Sequence, residues 1–270
     1  MEYEQFKVPV YELTHIDLNY YKERQMKRRI DALIERHKFK GYEEFINAIR
    51  NDKKLFEEFV SYITINVSEF FRNPDQWKIL EKEIIPMIMS GKKRKIKVWS
   101  AACSTGDEPY SMAMLLSEFM HLCEIKILAT DIDNQVLEKA GAGLYSAKSV
   151  ANLPEKYLKK YFVKVGEKNY QICDDIRNCV EFRQHNLLKD EYPKNYDLIL
   201  CRNVVIYFTD EAKTQIYRKF NASLNDDGIL FVGSTEQIIN YKELNFNSIQ
   251  SFFYRKALLP GNDIKNSEKI

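Results

Sequence analysis

The stretch VWSAACSTGDEPYSM, residues 98–112, is the part of the sequence that is most informative about the fold. It begins with apolar residues typical of a short buried strand and continues into small side chains at residues 100–106. Pro109 suits the first turn of a helix, and apolar residues then recur at helical spacing as far as Phe119. A strand, a loop of small residues and a helix form the first unit of a nucleotide-binding α/β sheet.

The loop carries two acids, Asp107 and Glu108, where the helix begins, and it has neither GxGxxG nor GxxxxGK[ST]. Carboxylates repel a pyrophosphate, so they favour a neutral or cationic ligand rich in hydroxyls, such as S-adenosylmethionine. The same acids would also complement the positive end of the helix dipole. The loop by itself therefore leaves both interpretations open.

A second apolar strand ends in acids, in IKILATDID at residues 125–133. Asp131 lies about one βα unit beyond the loop, where an acid at the strand tip can accept from both hydroxyls of a ribose. The loop and this acid together favour a Rossmann-like adenosine site.

Composition restricts the remaining possibilities. Lys and Arg number 41 and Asp and Glu 39, for a net charge of +2, so we expect no nucleic-acid partner. No apolar run has the length of a membrane span and the N-terminus is unlike a signal peptide, so we expect a cytoplasmic protein without membrane insertion. The five cysteines include no CxxC and only four histidines accompany them, so we expect reduced thiols and no metal.

Three motifs resemble the chemotaxis receptor methyltransferases of the CheR family: WSAACSTGDEPYSMAM (residues 99–114), ATDID (129–133) and CRNVVIYF (201–208). The resemblance extends from about residue 20 to about residue 256. Members of this family move a methyl group from S-adenosylmethionine to glutamates of chemoreceptors, leaving S-adenosylhomocysteine. The resemblance implies a class I methyltransferase fold, S-adenosylmethionine as cofactor, the cytoplasmic helical methylation region of a receptor as partner, and a monomer.

The expected architecture is α/β, with a mostly parallel Rossmann-like sheet whose last strand is antiparallel. We expect an N-terminal all-helical domain at residues 1–62, a linker at 63–75 that contributes to the cofactor site, and the methyltransferase domain at 76–260. A β-hairpin subdomain is expected at about 161–182, a polar turn at 91–95 and a disordered tail at 261–270. Hairpins of some relatives dock a receptor C-terminal pentapeptide, but this one is short and lacks extra glycines, which argues against tethering.

Matching to the family implies a set of cofactor-binding residues: Asn66, Ser68, Arg72, Ala101, Glu108, Asp131, Asn186, Leu187, Arg202 and Asn203. Many relatives have Thr where Ser68 stands, so the hydroxyl is retained. Arg72 and Tyr207 are also the catalytic candidates. A glutamate carboxylate is ionised at pH 7, so these two side chains would orient the acceptor, and no strong base is needed. Tyr207 could equally be a core aromatic with a hydrated hydroxyl.

A basic cluster occupies residues 22–29. Arg24, Lys27 and Arg28 share one face of the predicted helix, away from its apolar residues. They form either a solvated helix face or, as the resemblance implies, a surface that binds the acidic receptor.

Two other functions stay open. One is a methyltransferase with another acceptor, although Asn203 is followed by Val204 and Val205 rather than by the [DN]PP[YF] element of adenine-N6 enzymes. The other is a non-catalytic sensor of adenosine nucleosides.

Overall fold

The structure is a computed structural model that describes residues 1–90 and 95–258. The predicted polar turn at residues 91–95, apart from Lys95, and the predicted tail at residues 261–270 lie outside the described residues.

The N-terminal part is helical, as predicted. Its helices are α1 (Tyr3–Thr14), α2 (Glu23–Arg36), α3 (Tyr42–Asn51) and α4 (Lys53–Thr64), with a 3₁₀ turn at Leu18–Tyr20. The predicted helix that carries the basic cluster begins at Glu23. The residues just before it do not join the helix, because Tyr21 makes an isolated antiparallel bridge with Phe208.

The C-terminal part contains a seven-stranded sheet in the order β6-β2-β1-β7-β8-β10-β9. Its strands are β1 (Lys97–Ala101), β2 (Lys126–Asp131), β6 (Val180–Gln184), β7 (Tyr196–Cys201), β8 (Leu224–Val232), β9 (Phe246–Gln250) and β10 (Phe253–Lys256). A smaller sheet is formed by β3 (Leu144–Ser146), β4 (Phe162–Val165) and β5 (Asn169–Ile172). The five neighbouring strands β6, β2, β1, β7 and β8 pair in parallel, whereas β10 is antiparallel to both of its neighbours, β8 and β9. The predicted Rossmann-like class I sheet with an antiparallel last strand is confirmed.

Helices cover both faces of this sheet. They are α5 (Pro74–Ile79) and α6 (Ile85–Ser90), joined by a π-helical segment at Leu80–Ile84, then α7 (Asp107–Leu116), α8 (Asn134–Ala142), α9 (Glu155–Tyr161), α10 (Asp174–Arg177) and α11 (Asp210–Ser223), with 3₁₀ turns at Leu122–Glu124, Val205–Tyr207 and Tyr241–Leu244. The helix predicted to reach Phe119 ends at Leu116, because Phe119 N–H bonds to the Leu116 carbonyl in a tighter turn. Among the described residues, every helix is too short or too polar to cross a bilayer.

The predicted hairpin is present, but its bounds differ. Strands β4 and β5 form it, and β3 adds a third antiparallel strand to give the order β3-β5-β4. Residues 174–182 were expected within the hairpin; instead, Asp174–Arg177 form α10 and Val180–Gln184 form the main-sheet strand β6. The prediction missed β3 because a strand of three residues with both ends exposed carries no readable alternation.

The helical part packs directly onto the sheet. Phe45 and Phe59 of the N-terminal helices belong to the same hydrophobic core as Trp99 and Ile199 of β1 and β7. A second core on the opposite face buries α7. The N-terminal helices are therefore held beside the carboxyl ends of the central strands, where ligands bind in such sheets.

Candidate functional site

A two-part cleft opens at the carboxyl edge of the sheet, and Ala102 lines both parts. The first part is lined by Tyr21, Ile63, Thr64, Ala102, Asp131, Ile132, His185, Asn186, Leu187, Leu188, Val204, Tyr207 and Phe208. The second part is lined by Val67, Ser68, Glu69, Arg72, Ala102, Cys103, Ser104, Glu108, Arg202 and Asn203.

This cleft brings together most of the residues predicted to bind the cofactor. Two of them do not line it. Ala101 is fully buried in β1, one residue before Ala102. The Asn66 amide donates to Asp133 Oδ2 at 2.8 Å and to Thr64 Oγ1 at 2.9 Å, so it joins the linker to the sheet.

Asp131 ends β2 and is only 6% exposed. Its Oδ2 accepts from the Ser104 N–H at 2.8 Å and its Oδ1 from the Asp133 N–H at 3.0 Å. Burial raises the pKa of Asp131 to about 6, and the backbone hydrogen bonds oppose this rise. An ionised carboxylate offers about four acceptor positions, so acceptor capacity remains for the hydroxyls of a ribose.

The small-residue loop folds tightly over this carboxylate. Ala102 and Ser104 both adopt left-handed backbone angles, with φ of 62° and 49°. The Cys103 N–H donates to the Thr130 carbonyl at 2.9 Å, which ties the loop to β2. The Ser104 hydroxyl is buried and has no hydrogen-bond partner among the described residues. Because buried hydroxyls are normally paired, it fits a polar atom of a bound nucleoside.

Glu108 and Arg202 form a buried ion pair, with 3.3 Å between Oε2 and Nη1. Ser100 Oγ also donates to Glu108, at 2.8 Å. Burial raises the pKa of Glu108 and lowers that of Arg202, and each charge opposes the shift of the other. Arg202 Nη2 donates to the Arg72 carbonyl at 2.6 Å, so the guanidinium fixes the linker against the sheet as well as lining the cleft.

The linker is anchored at two further points. The Phe71 N–H donates to Ser111 Oγ of α7 at 3.0 Å. Burial raises the pKa of the Asp107 carboxyl, and the nearby Thr105 and Ser68 hydroxyls oppose that rise. Arg72 is half-buried, and its Nη1 donates to the Val67 carbonyl at 3.3 Å. Ser68 and Arg72 are thereby held at the second part of the cleft.

The two catalytic candidates lie in different parts of the cleft, Tyr207 in the first and Arg72 in the second. Tyr207 belongs to the 3₁₀ turn that follows β7 and is half-buried. Its carbonyl accepts from the Lys22 N–H at 2.8 Å. The N-terminal helical part is thus bonded to the turn that carries Tyr207.

The predicted basic face of α2 is accessible. Arg24, Lys27 and Arg28 are exposed. Arg29, from the same basic cluster, is directed elsewhere: its Nη2 donates to the Tyr62 carbonyl at 2.7 Å, and its guanidinium lies 4.6 Å from the Tyr62 ring centroid.

Two acids that matter to the site were not recognised from the sequence. Asp133 caps α8 through the Gln135 N–H and also accepts from Asn66, which places it between linker and sheet. Glu236 follows β8 and is 4% exposed. Its position in GSTE, just after a buried strand, is the feature that could have identified it, since ligand sites lie at strand carboxyl ends.

The site gives less support to catalysis by a cysteine nucleophile or by a bound metal ion. Burial raises the pKa of Cys103 well above its ordinary value, so the thiol stays protonated and is a poor nucleophile. Within residues 1–90 and 95–258, no group of three or more His, Cys, Asp or Glu side chains is arranged to hold a metal ion. The strand-tip acid, the unpaired hydroxyl and the apolar first part together fit the adenosine and methionine portions of S-adenosylmethionine.

Comparison with known proteins agrees with this geometry. Residues 1–64 match the family described as CheR methyltransferase, all-alpha domain, and residues 66–253 match CheR methyltransferase, SAM binding domain. The chain is 44% identical over 242 residues to the chemotaxis protein methyltransferases of Listeria innocua and Listeria monocytogenes, spanning 90% of this chain and 92% of each of those. It is 34% identical over 250 residues to that of Borreliella burgdorferi, spanning 88% of both chains.

The family matches cover nearly all of the described chain, and the predicted cofactor is the one that the second match names. The chain therefore belongs to the CheR family of chemotaxis methyltransferases and is itself an S-adenosylmethionine-dependent methyltransferase.

Proposed function

We propose that the enzyme methylates glutamate side chains in the helical methylation region of chemoreceptors, and that it does so in the cytoplasm as a monomer. The observation that carries this proposal is the placement of α2. Its exposed Arg24, Lys27 and Arg28 lie on a helix whose first turn is bonded through Lys22 to the turn of Tyr207. A cationic surface beside the cofactor cleft suits an acceptor segment rich in carboxylates.

S-adenosylmethionine supplies a methyl group on a sulfonium, from which it can pass directly to a nucleophile. A glutamate carboxylate is already ionised near pH 7, so the oxygen–carbon bond can form as the carbon–sulfur bond breaks, without a base. The work of the protein is then alignment and exclusion of water. That role agrees with a cleft whose buried acids are occupied by backbone and arginine partners.

Individual residues take the following roles in this proposal. Asp131 binds the ribose hydroxyls, and Glu108 binds near the methionine portion of the cofactor. Tyr207 and Arg72 hold the acceptor carboxylate from the two parts of the cleft. Arg72 must donate weakly, because a tight ion pair would reduce the nucleophilicity of the carboxylate. The remaining predicted contacts, including Asn186 and Leu187, complete the nucleoside pocket.

The test is transfer of labelled methyl from S-adenosylmethionine to a purified chemoreceptor. We expect label in the receptor that alkali releases as methanol, which is diagnostic of a methyl ester. A receptor with its methylation-region glutamates changed to alanine should take up none. Label that survives alkali would indicate another acceptor atom, and nucleoside binding without any transfer would favour the sensor function.

A further inference from the structure

Glu236 holds together the two loops that follow β7 and β8. Its Oε2 accepts from the Asn203 N–H at 2.5 Å and from the Gly233 N–H at 2.9 Å, and its Oε1 accepts from the Ile206 N–H at 3.3 Å. The side chain is 4% exposed, so these backbone groups take the place of water around a buried carboxylate. Hydrogen bonds to an ionised acceptor are roughly twice as strong as neutral ones.

The backbone around this carboxylate is shaped to receive it. Asn203 adopts φ of +61°, a left-handed conformation that asparagine adopts more readily than most other non-glycine residues. At Gly233 an added Cβ would lie 2.5 Å from Glu236 Oε2 and 2.8 Å from the Asn203 nitrogen. Glycine is therefore required there for the two loops to approach the carboxylate.

The loop that carries Glu236 is itself fixed to the sheet. The Ile238 N–H donates to the Tyr254 hydroxyl at 2.9 Å, and Tyr254 lies in β10 and is 2% exposed. The contacts thus connect β10, through the loop that carries Glu236, to residues 203–206. Asn203 lines the second part of the cleft, and Tyr207 lines the first.

From this geometry we infer that Glu236 is a positioning residue: its carboxylate fixes the turn that presents Asn203 to the cofactor and Tyr207 to the acceptor. It acts through the backbone of that turn and touches neither reactant. The part that concerns Tyr207 rests on the proposed function, whereas the part that concerns Asn203 rests on cofactor binding alone.

The experiment compares Glu236→Gln with a matched control, Glu243→Gln, which removes an exposed carboxylate a few residues along the same segment. An amide of the same size presents N–H groups toward backbone N–H groups and so cannot satisfy all three donors. We expect amide hydrogen exchange at residues 203–206 to quicken by about tenfold or more, while β1 and β7 stay protected. The control should match the wild type.

Two functional measurements accompany hydrogen exchange. Affinity for S-adenosylhomocysteine should fall roughly tenfold, the effect of losing about one well-placed hydrogen bond. Turnover at saturating receptor should fall further, on the order of 100-fold, because it also needs Tyr207 aligned. A lower melting temperature with normal exchange, affinity and turnover in the folded variant would overturn the inference, since it would show a purely structural role.

Gly233→Ala is a second, independent route to the same outcome, because its Cβ displaces the carboxylate instead of replacing it. It should quicken exchange at residues 203–206 and weaken nucleoside binding as Glu236→Gln does; a folded Gly233→Ala protein without either change would contradict the inference. If the wild type transfers no methyl to any receptor, the proposed acceptor fails. Hydrogen exchange and nucleoside affinity would still decide the role of Glu236.

Discussion

The backbone N–H of Lys22 donates a 2.8 Å hydrogen bond to the carbonyl of Tyr207. On the other side of the Tyr21–Phe208 pair, the Thr209 N–H donates to the Tyr20 carbonyl at 2.8 Å, so two reciprocal bonds hold the start of α2 against the turn after β7. The rings of Tyr21 and Phe208 pack edge to face between them, with centroids 4.9 Å apart. A partner bound to the basic face of α2 would therefore be placed in a defined position relative to Tyr207.

Asp131→Ala should weaken binding of S-adenosylhomocysteine by about 1.5–3 kcal/mol, the contribution of hydrogen bonds to a charged group. The reason is the loss of the acceptor for both ribose hydroxyls. Titration calorimetry measures this directly, with circular dichroism to show that the variant is folded. Unchanged affinity in a folded variant would remove Asp131 from the nucleoside site.

Cofactor affinity should fall as the pH drops below about 6, where burial has placed the pKa of Asp131. The ionised carboxylate accepts both ribose hydroxyls, and protonation removes acceptor capacity. The effect on folding has the opposite sign: the folded chain binds this proton more tightly, so Asp131 favours folding at low pH and loses that contribution as the pH rises through about 6.

Asp131→Asn isolates this titration from those of Asp107 and Glu108, whose pKa values are also raised by burial. Calorimetric titrations from pH 5 to 8 should show a smaller pH dependence in the variant than in the wild type. Parallel curves for the two proteins would assign the titration to another group.

Replacing Arg24, Lys27 and Arg28 with alanine should slow receptor methylation, mainly at low ionic strength, because exposed charges are screened by salt. Affinity for S-adenosylhomocysteine should not change. A suitable control changes Lys40, Lys53 and Lys54, which are exposed and lie elsewhere in the helical part. If neither the triple substitution nor the ionic strength changes the rate of receptor methylation, the basic face of α2 is a solvated surface that does not bind the receptor.

Tyr207→Phe keeps the ring and removes only the hydroxyl, so it separates packing from alignment of the acceptor. Single-turnover methylation at saturating receptor should slow on the order of 100-fold, with nearly unchanged affinity for S-adenosylhomocysteine. Arg72→Ala should slow methylation more than Tyr207→Phe does and should also weaken cofactor binding, since Arg72 lines the second part of the cleft. A single-turnover rate in Tyr207→Phe equal to that of the wild type would show that the Tyr207 hydroxyl takes no part in methyl transfer.

Arg202→Met should reduce the free energy of unfolding by roughly 3–5 kcal/mol, because it leaves the Glu108 carboxylate buried without its charge partner. It also removes the donor that holds the Arg72 carbonyl. Urea unfolding measures the loss. Adding Glu108→Gln should restore part of it, and a double variant no more stable than the single one would show that the linker contacts dominate.

The central strands, and the acids and small residues that follow them, could be predicted from the amino-acid sequence. Residues 98–112 and 125–133 carry this information locally, because a buried parallel strand is a continuous apolar run and its carboxyl end is marked by the residues that follow. Asp131, Glu108 and the small-residue loop could therefore be predicted without a structure. The family resemblance added Ser68 and Arg72, which no local pattern would have singled out.

The contacts between distant segments at the cleft could not be predicted and are known from the three-dimensional fold. Lys22 bonds to the turn of Tyr207, Asn66 to Asp133, and Glu236 to Asn203, and each pair joins segments far apart in sequence. Short strands such as β3 are likewise defined by their pairing partner rather than by their own residues. Such contacts leave no periodic pattern in the sequence, because a buried carboxylate or backbone N–H group forms its hydrogen bond with whichever group the fold places beside it.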